Sequence, residues 1–118
     1  LPPATVNTLT ARRLITGTIE LSWLAPGDSD WVGRAATYDI RYTHQLIGGI
    51  FSWSSATALS APPTPITGGL SQHWIITNAL DNPVYFALKA ADVEGNWSQR
   101  SNVATALAQI YLPVIFKI

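Results

Sequence analysis

The chain has no cysteine and no methionine, and only 12% of its residues are charged. Without cysteine there is neither a disulfide framework nor a thiolate metal site. Without methionine, Leu1 is not a translation start, so the chain is expected to be a processed product or a fragment. The charged share is about half the roughly 25% usual in globular domains. Seven Lys and Arg balance seven Asp and Glu, which leaves no basic face for nucleic acid and no acidic tail. No apolar run approaches the ~20 residues of a membrane helix, so no membrane span is expected.

What remains is a chain of 118 residues, 47% of them hydrophobic. That is long enough for one domain to close a core without disulfides or metal. A surface so poor in charge disperses badly alone, so it is expected to be covered by partners or glycans, or kept soluble by Ser and Thr. Proline and glycine cut the sequence into short pieces, none with a helical period. Alternation takes its place. Ile19, Leu21 and Trp23 share one face, as do Tyr38, Ile40 and Tyr42, and Val84, Phe86, Leu88 and Ala90. Period-two patterning marks strands with one buried and one wet face. Weaker strands are expected over 4–14, 51–59, 72–80 and 101–107, with turn chemistry at Pro26-Gly27-Asp28, Gly48-Gly49, Pro62-Pro63 through Gly68-Gly69, Asp81-Asn82-Pro83 and Glu94-Gly95-Asn96. Seven such strands predict an all-β antiparallel sandwich.

Four stretches carry a resemblance: Leu21-Ser22-Trp23 with Pro26; Tyr38-Asp39-Ile40-Arg41-Tyr42; Phe86 through Ala90 with Asp92, Gly95, Asn96 and Ser98; and Ser101-Asn102-Val103. In this order they resemble a fibronectin type III domain over roughly residues 3–107. The resemblance implies an Ig-like β-sandwich used as an extracellular spacer or binding module, and says little about the task. One position departs from it. Where the family keeps a corner tyrosine this chain has Val84, with Tyr85 one residue later. The corner hydrogen bond is therefore lost, or recovered through a bulge that turns Tyr85 inward.

No catalytic constellation is visible. His44 and His73 fall on different predicted strands without a nucleophile at suitable spacing, and no phosphate loop or HExxH pattern occurs. The expectation is a non-enzymatic protein without cofactors. The resemblance brings 27–31 and 92–97 to one pole. There Asp28, Asp30, Glu94 and Asn96 offer hard oxygen ligands of the kind Ca²⁺ takes, and Trp31 and Trp97 offer faces for a sugar or peptide. The plainer readings are that Asp and Asn shape turns and that the tryptophans close the ends of the core. Asn96-Trp97-Ser98 is also an N-glycosylation sequon, so a glycan on Asn96 is a candidate.

The segment 109–118 stands apart from the sandwich, assigned to 1–108. Ile110, Leu112, Val114, Phe116 and Ile118 would line one face of a strand, and Tyr111, Pro113, Ile115 and Lys117 the other. Burying the first five contributes ~8–15 kcal/mol gross at ~1.5–3 each. Ordering nine residues costs a similar amount, so backbone pairing with a sheet edge must complete the balance. Pro113 removes one donor, which suits a strand paired along one side only. Three roles stay open: extending the last strand or covering the domain's own sheet edge, adding to another subunit's sheet, or acting as a sorting or attachment segment.

The sequence is thus read as an all-β, fibronectin type III-like sandwich with an additional C-terminal β-strand. The expected role is a secreted, cell-surface structural protein that self-associates through Ile110, Tyr111, Leu112, Val114, Ile115, Phe116 and Ile118. Its partners would be identical subunits, as in an adhesion or surface filament, or other surface proteins. The alternative is a carbohydrate- or protein-binding accessory module of a larger secreted protein, acting through Trp31 and Trp97 with the tail packed at home.

Overall fold

The computed structural model describes residues 1–14, 17–77, 80–81 and 83–106. The additional C-terminal strand expected over 109–118 lies outside them. Among the described residues seven strands form two antiparallel sheets: β1 Thr10–Arg13, β2 Ile19–Leu24, β3 Thr37–Thr43, β4 Thr57–Ala58, β5 Ser71–Ile76, β6 Val84–Ala91 and β7 Ala104–Ala106. One sheet has the order β1-β2-β5 and the other β4-β3-β6-β7. The fold is an all-β sandwich, as the alternation predicts.

The three strongest patterns fold as read. Ile19, Leu21, Trp23, Tyr38, Ile40, Val84, Phe86, Leu88 and Ala90 all join one buried core cluster, with Tyr42 packed against it. Trp23 of one sheet meets Tyr38 of the other edge to face, with ring centroids 5.3 Å apart, an arrangement that favours the aromatic quadrupoles. The four weaker patterns shorten, 72–80 to Ser71–Ile76 and 101–107 to Ala104–Ala106 among the described residues. Over 4–14 only Thr10–Arg13 pairs as a strand, although Ala4, Val6 and Leu9 are buried ahead of it. Over 51–59 only Thr57 and Ala58 pair as a strand.

The corner position is settled by register. β6 pairs with β3 through an unbroken series from Thr37↔Ala91 to Thr43↔Tyr85, and with β7 from Val84↔Ala106 to Phe86↔Ala104. No bulge turns Tyr85 inward. Val84 fills the fully buried position, and a valine has no hydroxyl to pin the corner.

Where β6 outruns β7, serine side chains continue the ladder. The Ser101 Oγ accepts from the Leu88 amide at 2.8 Å and the Ser98 Oγ from the Ala90 amide at 3.0 Å. Asn102 then ties β7 to the other sheet. Its Oδ1 accepts from the Leu9 amide at 3.0 Å, and its Nδ2 donates to the Leu9 carbonyl at 2.9 Å. One side chain thereby closes the side of the sandwich where β1 lies beside β7.

Candidate functional site

Strand directions fix the end of the sandwich at which the loop candidates lie. The Ala36 amide donates to the Ala91 carbonyl at 2.8 Å, so the loop entering β3 starts beside the loop leaving β6. Residues 25–36 and 92–97 therefore share one pole. The described chain reaches Ala106 opposite Val84, at the other pole.

At the first pole the backbone is tightly closed. The Asp30 amide donates to the Pro2 carbonyl at 2.8 Å, and its own carbonyl accepts from Ala4 and Gly27, both at 2.9 Å. Asp30 sits at φ 56°, a left-handed conformation that aspartate tolerates better than most residues. Gly27 and Gly68 are required by close approach. A Cβ on Gly27 would lie 2.2 Å from the Val32 carbonyl oxygen, and one on Gly68 would lie 2.3 Å from that of Trp31.

The second loop is organised by Asp92, which is 5% exposed. Its Oδ1 accepts from the amides of Glu94 at 3.0 Å and Asn96 at 2.9 Å, and its Oδ2 accepts from the Asn96 side-chain amide at 3.0 Å. The Asn96 side-chain donor first, and the backbone amides with it, hold the Asp92 carboxyl below the usual carboxylate range. Asn96 is thereby committed as a donor inside the turn. Among the described residues no group of three or more His, Cys, Asp or Glu side chains is placed to hold a metal ion. The sequon has the same character: Asn96 is exposed, but its Nδ2 serves Asp92, and the Ser98 hydroxyl is buried in the β6 ladder.

Trp31 and Trp97 lie at this pole, 38% and 46% exposed. No ring contact joins them; among the described residues the tryptophans found in ring pairs are Trp23 and Trp53. Around them Val32, Leu70 and Val93 are 75%, 55% and 81% exposed. The pole is an apolar surface of separated side chains rather than a paired aromatic platform.

Three features were not foreseen from the sequence. On the outer face of the first sheet, Ser22 Oγ lies 2.9 Å from His73 Nδ1, and Glu20 Oε2 lies 3.8 Å from the same nitrogen. A hydroxyl–imidazole–carboxylate relay needs the two oxygens on different ring nitrogens; here both approach Nδ1. The signal that could have found this pair is β2–β5 register, which sets Ser22 opposite His73. Beside it is a surface cleft of about 210 Å³ lined by Thr8, Ser22, Leu24, Ser71 and His73.

The second feature lies on the outer face of the other sheet, where Trp53 packs beneath two cations. The Arg41 Cζ is 4.6 Å and the Lys89 Nζ 4.7 Å from its ring centroid. The third is a cleft of about 240 Å³ at the lateral opening of the sandwich, between β5 and residues 59–61. Both clefts fall below the ~300 Å³ at which small-molecule pockets begin.

The remaining candidates are accounted for simply. His44 is exposed, with its Nδ1 2.9 Å from the Pro83 carbonyl oxygen. Ile110, Tyr111, Leu112, Val114, Ile115, Phe116 and Ile118 lie outside the described residues.

No family model matches the chain, and no curated protein matches it. Among solved structures the chain is distantly similar to part of the spore cortex lytic enzyme SleM of Clostridium perfringens. The two are 19% identical, with a TM-score of 0.47 over 89% of this chain. The similarity takes in 29% of that protein's length.

Proposed function

We propose that this chain is a fibronectin type III-like, non-enzymatic extracellular module that self-associates through residues 109–118, as the repeating subunit of a surface filament. The observation that carries the reading is the register at the end of β7. Ala106 stands opposite Val84, the first residue of β6. Continuing that register would carry the chain beyond Val84, where no described strand of this sheet stands opposite. Lengthening β7 would thus give the tail no described part of β6 to pair with. Its apolar faces need another edge, and a neighbouring subunit supplies one. A head-to-tail contact of this kind does not close on itself and propagates.

Deleting residues 109–118 tests the reading. The intact protein should form particles in light scattering and filaments in electron micrographs, while the truncated chain stays monomeric. Assembly that survives the deletion removes the tail from the account, and an intact protein that stays monomeric at high concentration removes the filament.

A second reading rests on the exposed apolar side chains at the pole of Trp31 and Trp97. Here the chain is an accessory module that binds carbohydrate or protein, with the tail packed on its own domain. Its signature is binding on a glycan array that is lost when Trp31 or Trp97 is replaced by alanine while the fold is retained.

A further inference from the structure

If self-association through the tail holds, the receiving edge can be identified among the described strands. β4 has two residues, β7 has three, and the four of β1 include Arg12 and Arg13 and run beside β7. β5 offers six, Ser71–Ile76, without proline or lysine and in unbroken register with β2. Natural sheets usually blunt such an edge with charge, proline or a bulge.

Two hydrogen bonds show which backbone groups of β5 are free. The Leu14 amide donates to the Thr18 carbonyl, and the Ala25 amide to the Leu70 carbonyl, both at 2.8 Å. Antiparallel bonding alternates along a strand. Ile19, Leu21 and Trp23 therefore bond toward β5, where Ile76, Trp74 and Gln72 stand opposite them. The amides and carbonyls of Ser71, His73 and Ile75 then point away from the sheet. None of them has a backbone partner among the described residues. Next to this edge the lateral cleft exposes the flank of the core, with Leu59, Trp74 and Ile76 in its lining. Leu59 and Trp74 are only partly buried there.

We infer that residues 110–118 of a second copy pair in parallel with the outer edge of β5 and turn Ile110, Leu112, Val114, Phe116 and Ile118 toward this cleft. The direction follows from Pro113. In antiparallel pairing, residues directly opposite one another share both a face and their hydrogen bonds. The outward-bonding residues of β5 carry their side chains on the solvent face, since Gln72 and Ile76 are the buried ones. An antiparallel tail would then either bury Lys117 with Tyr111, or spend the Pro113 position where a donor is required. In parallel pairing each outward residue of β5 bonds to the neighbours of the residue opposite it. The five apolar residues then face inward and also carry the bonds, while Pro113 turns its nitrogen away from β5. Facing outward, that proline also stops a further strand from adding to the sheet.

Parallel pairing also selects a second copy over the chain's own tail. β7 ends at the pole where β5 ends, since Ile76 is paired with Ile19 there and Ala106 with Val84. Residues 107–109 span at most ~11 Å, whereas Ser71 lies a further ~17 Å up the strand. The chain's own tail can meet β5 only from its far end, and so only antiparallel.

Cysteine cross-linking tests the assignment in a chain that has no cysteine of its own. Ser71→Cys or Ile75→Cys is combined with Tyr111→Cys, Ile115→Cys or Lys117→Cys in the full chain, and products are resolved without reductant. The expected result is a ladder of linked chains in which moving the β5 cysteine from Ser71 to Ile75 shifts the preferred tail position four residues toward Ile118. A shift in the opposite sense, or linkage within one chain, overturns the inference. Assembly without any link to β5 overturns it while leaving self-association standing, and an intact chain that never assembles defeats the reading on which it rests. Ile75→Pro removes only an outward amide and should raise the critical concentration for assembly at least tenfold; Ile75→Lys serves if the proline variant does not fold. Unchanged assembly in a folded variant overturns the proposal.

Discussion

Tyr38 joins the two sheets through a single buried hydroxyl. It donates to Gln72 Oε1 at 2.7 Å, and Gln72 Nε2 donates in turn to the Thr64 carbonyl at 2.8 Å. Burial disfavours the phenolate and pushes the Tyr38 pKa up to about 12. In the unfolded chain the phenol ionises near 10. The resulting stabilisation is complete below pH 10 and is lost as pH rises from 10 to 12, amounting to ~2–3 kcal/mol. Tyr38→Phe should cost about 1–2 kcal/mol at neutral pH, because it strands the Gln72 oxygen. It should also flatten the alkaline limb, as read by denaturant unfolding between pH 9 and 12. Asp92 acts in the opposite range. Its carboxyl is held low by Asn96 and Glu94, so its contribution is present above the ordinary carboxylate pKa and lost as pH falls through the depressed one. Asp92→Asn should lower stability at neutral pH and weaken its acid dependence in the same measurement. Ser101→Ala, which strands the buried Leu88 amide, should cost about 1–3 kcal/mol.

At the scale of elements, residues 51–56 decide how the larger sheet is covered. Alternation along β6 assigns Val84, Phe86, Leu88 and Ala90 to the core, yet Ala87 and Ala91 on the other face are also fully buried. Ala91 is bridged to Trp97, and Trp53 lies over side chains beside Ala87. Trp53 sits against Arg41 and Lys89, and Arg41 is the cross-strand partner of Ala87. Arg41 is itself fixed by Asp39, at 3.1 Å from Nε to Oδ1 and 3.0 Å from Nη2 to Oδ2, and by donating to the Trp53 carbonyl at 2.9 Å. Phe51 is 5% exposed, with the Arg100 Cζ 5.9 Å from its ring centroid. Trp53→Ala should therefore cost about 2–3 kcal/mol. That is below the figure for a fully buried tryptophan, but it includes taking the ring face away from both Arg41 and Lys89. Thermal melts would show it, and an unchanged melting temperature would mean that the segment is not a structural cover.

The same segment marks where sequence reading stopped. Strands with one wet face were legible because each residue's fate follows from its own period, as for Ile19, Leu21 and Trp23. The stretch 51–59 reads as a strand, but most of it folds as a cover, because its aromatics pack on a surface made by β3 and β6. No local pattern encodes that surface. The Ser22–His73 pair and the free edge of β5 were hidden for a related reason: both depend on register between strands about fifty residues apart. The turn role of Asp92 and Asn96 was within reach of sequence, since such side chains bond to backbone amides a few residues on.

At the scale of the whole molecule, the described residues already close a core. The cluster running from Val6 to Ala106 draws on both sheets, and Asn102 seals one side of it. The sandwich should therefore fold without residues 109–118. Docking of the tail onto β5 of another copy would then act on stability by mass action, because only the folded subunit presents that edge. The intact protein should accordingly melt at a temperature that rises with its concentration, by about 5 °C for each tenfold increase once contacts are saturated. The chain lacking 109–118 should melt cooperatively at one temperature whatever its concentration. A tail packed on its own sandwich predicts the reverse pattern: no concentration dependence in either protein, and a lower melting temperature in the truncated one. Calorimetry on the two proteins across a hundredfold range of concentration separates these cases, because an intramolecular contact has no concentration term and a contact between copies must have one.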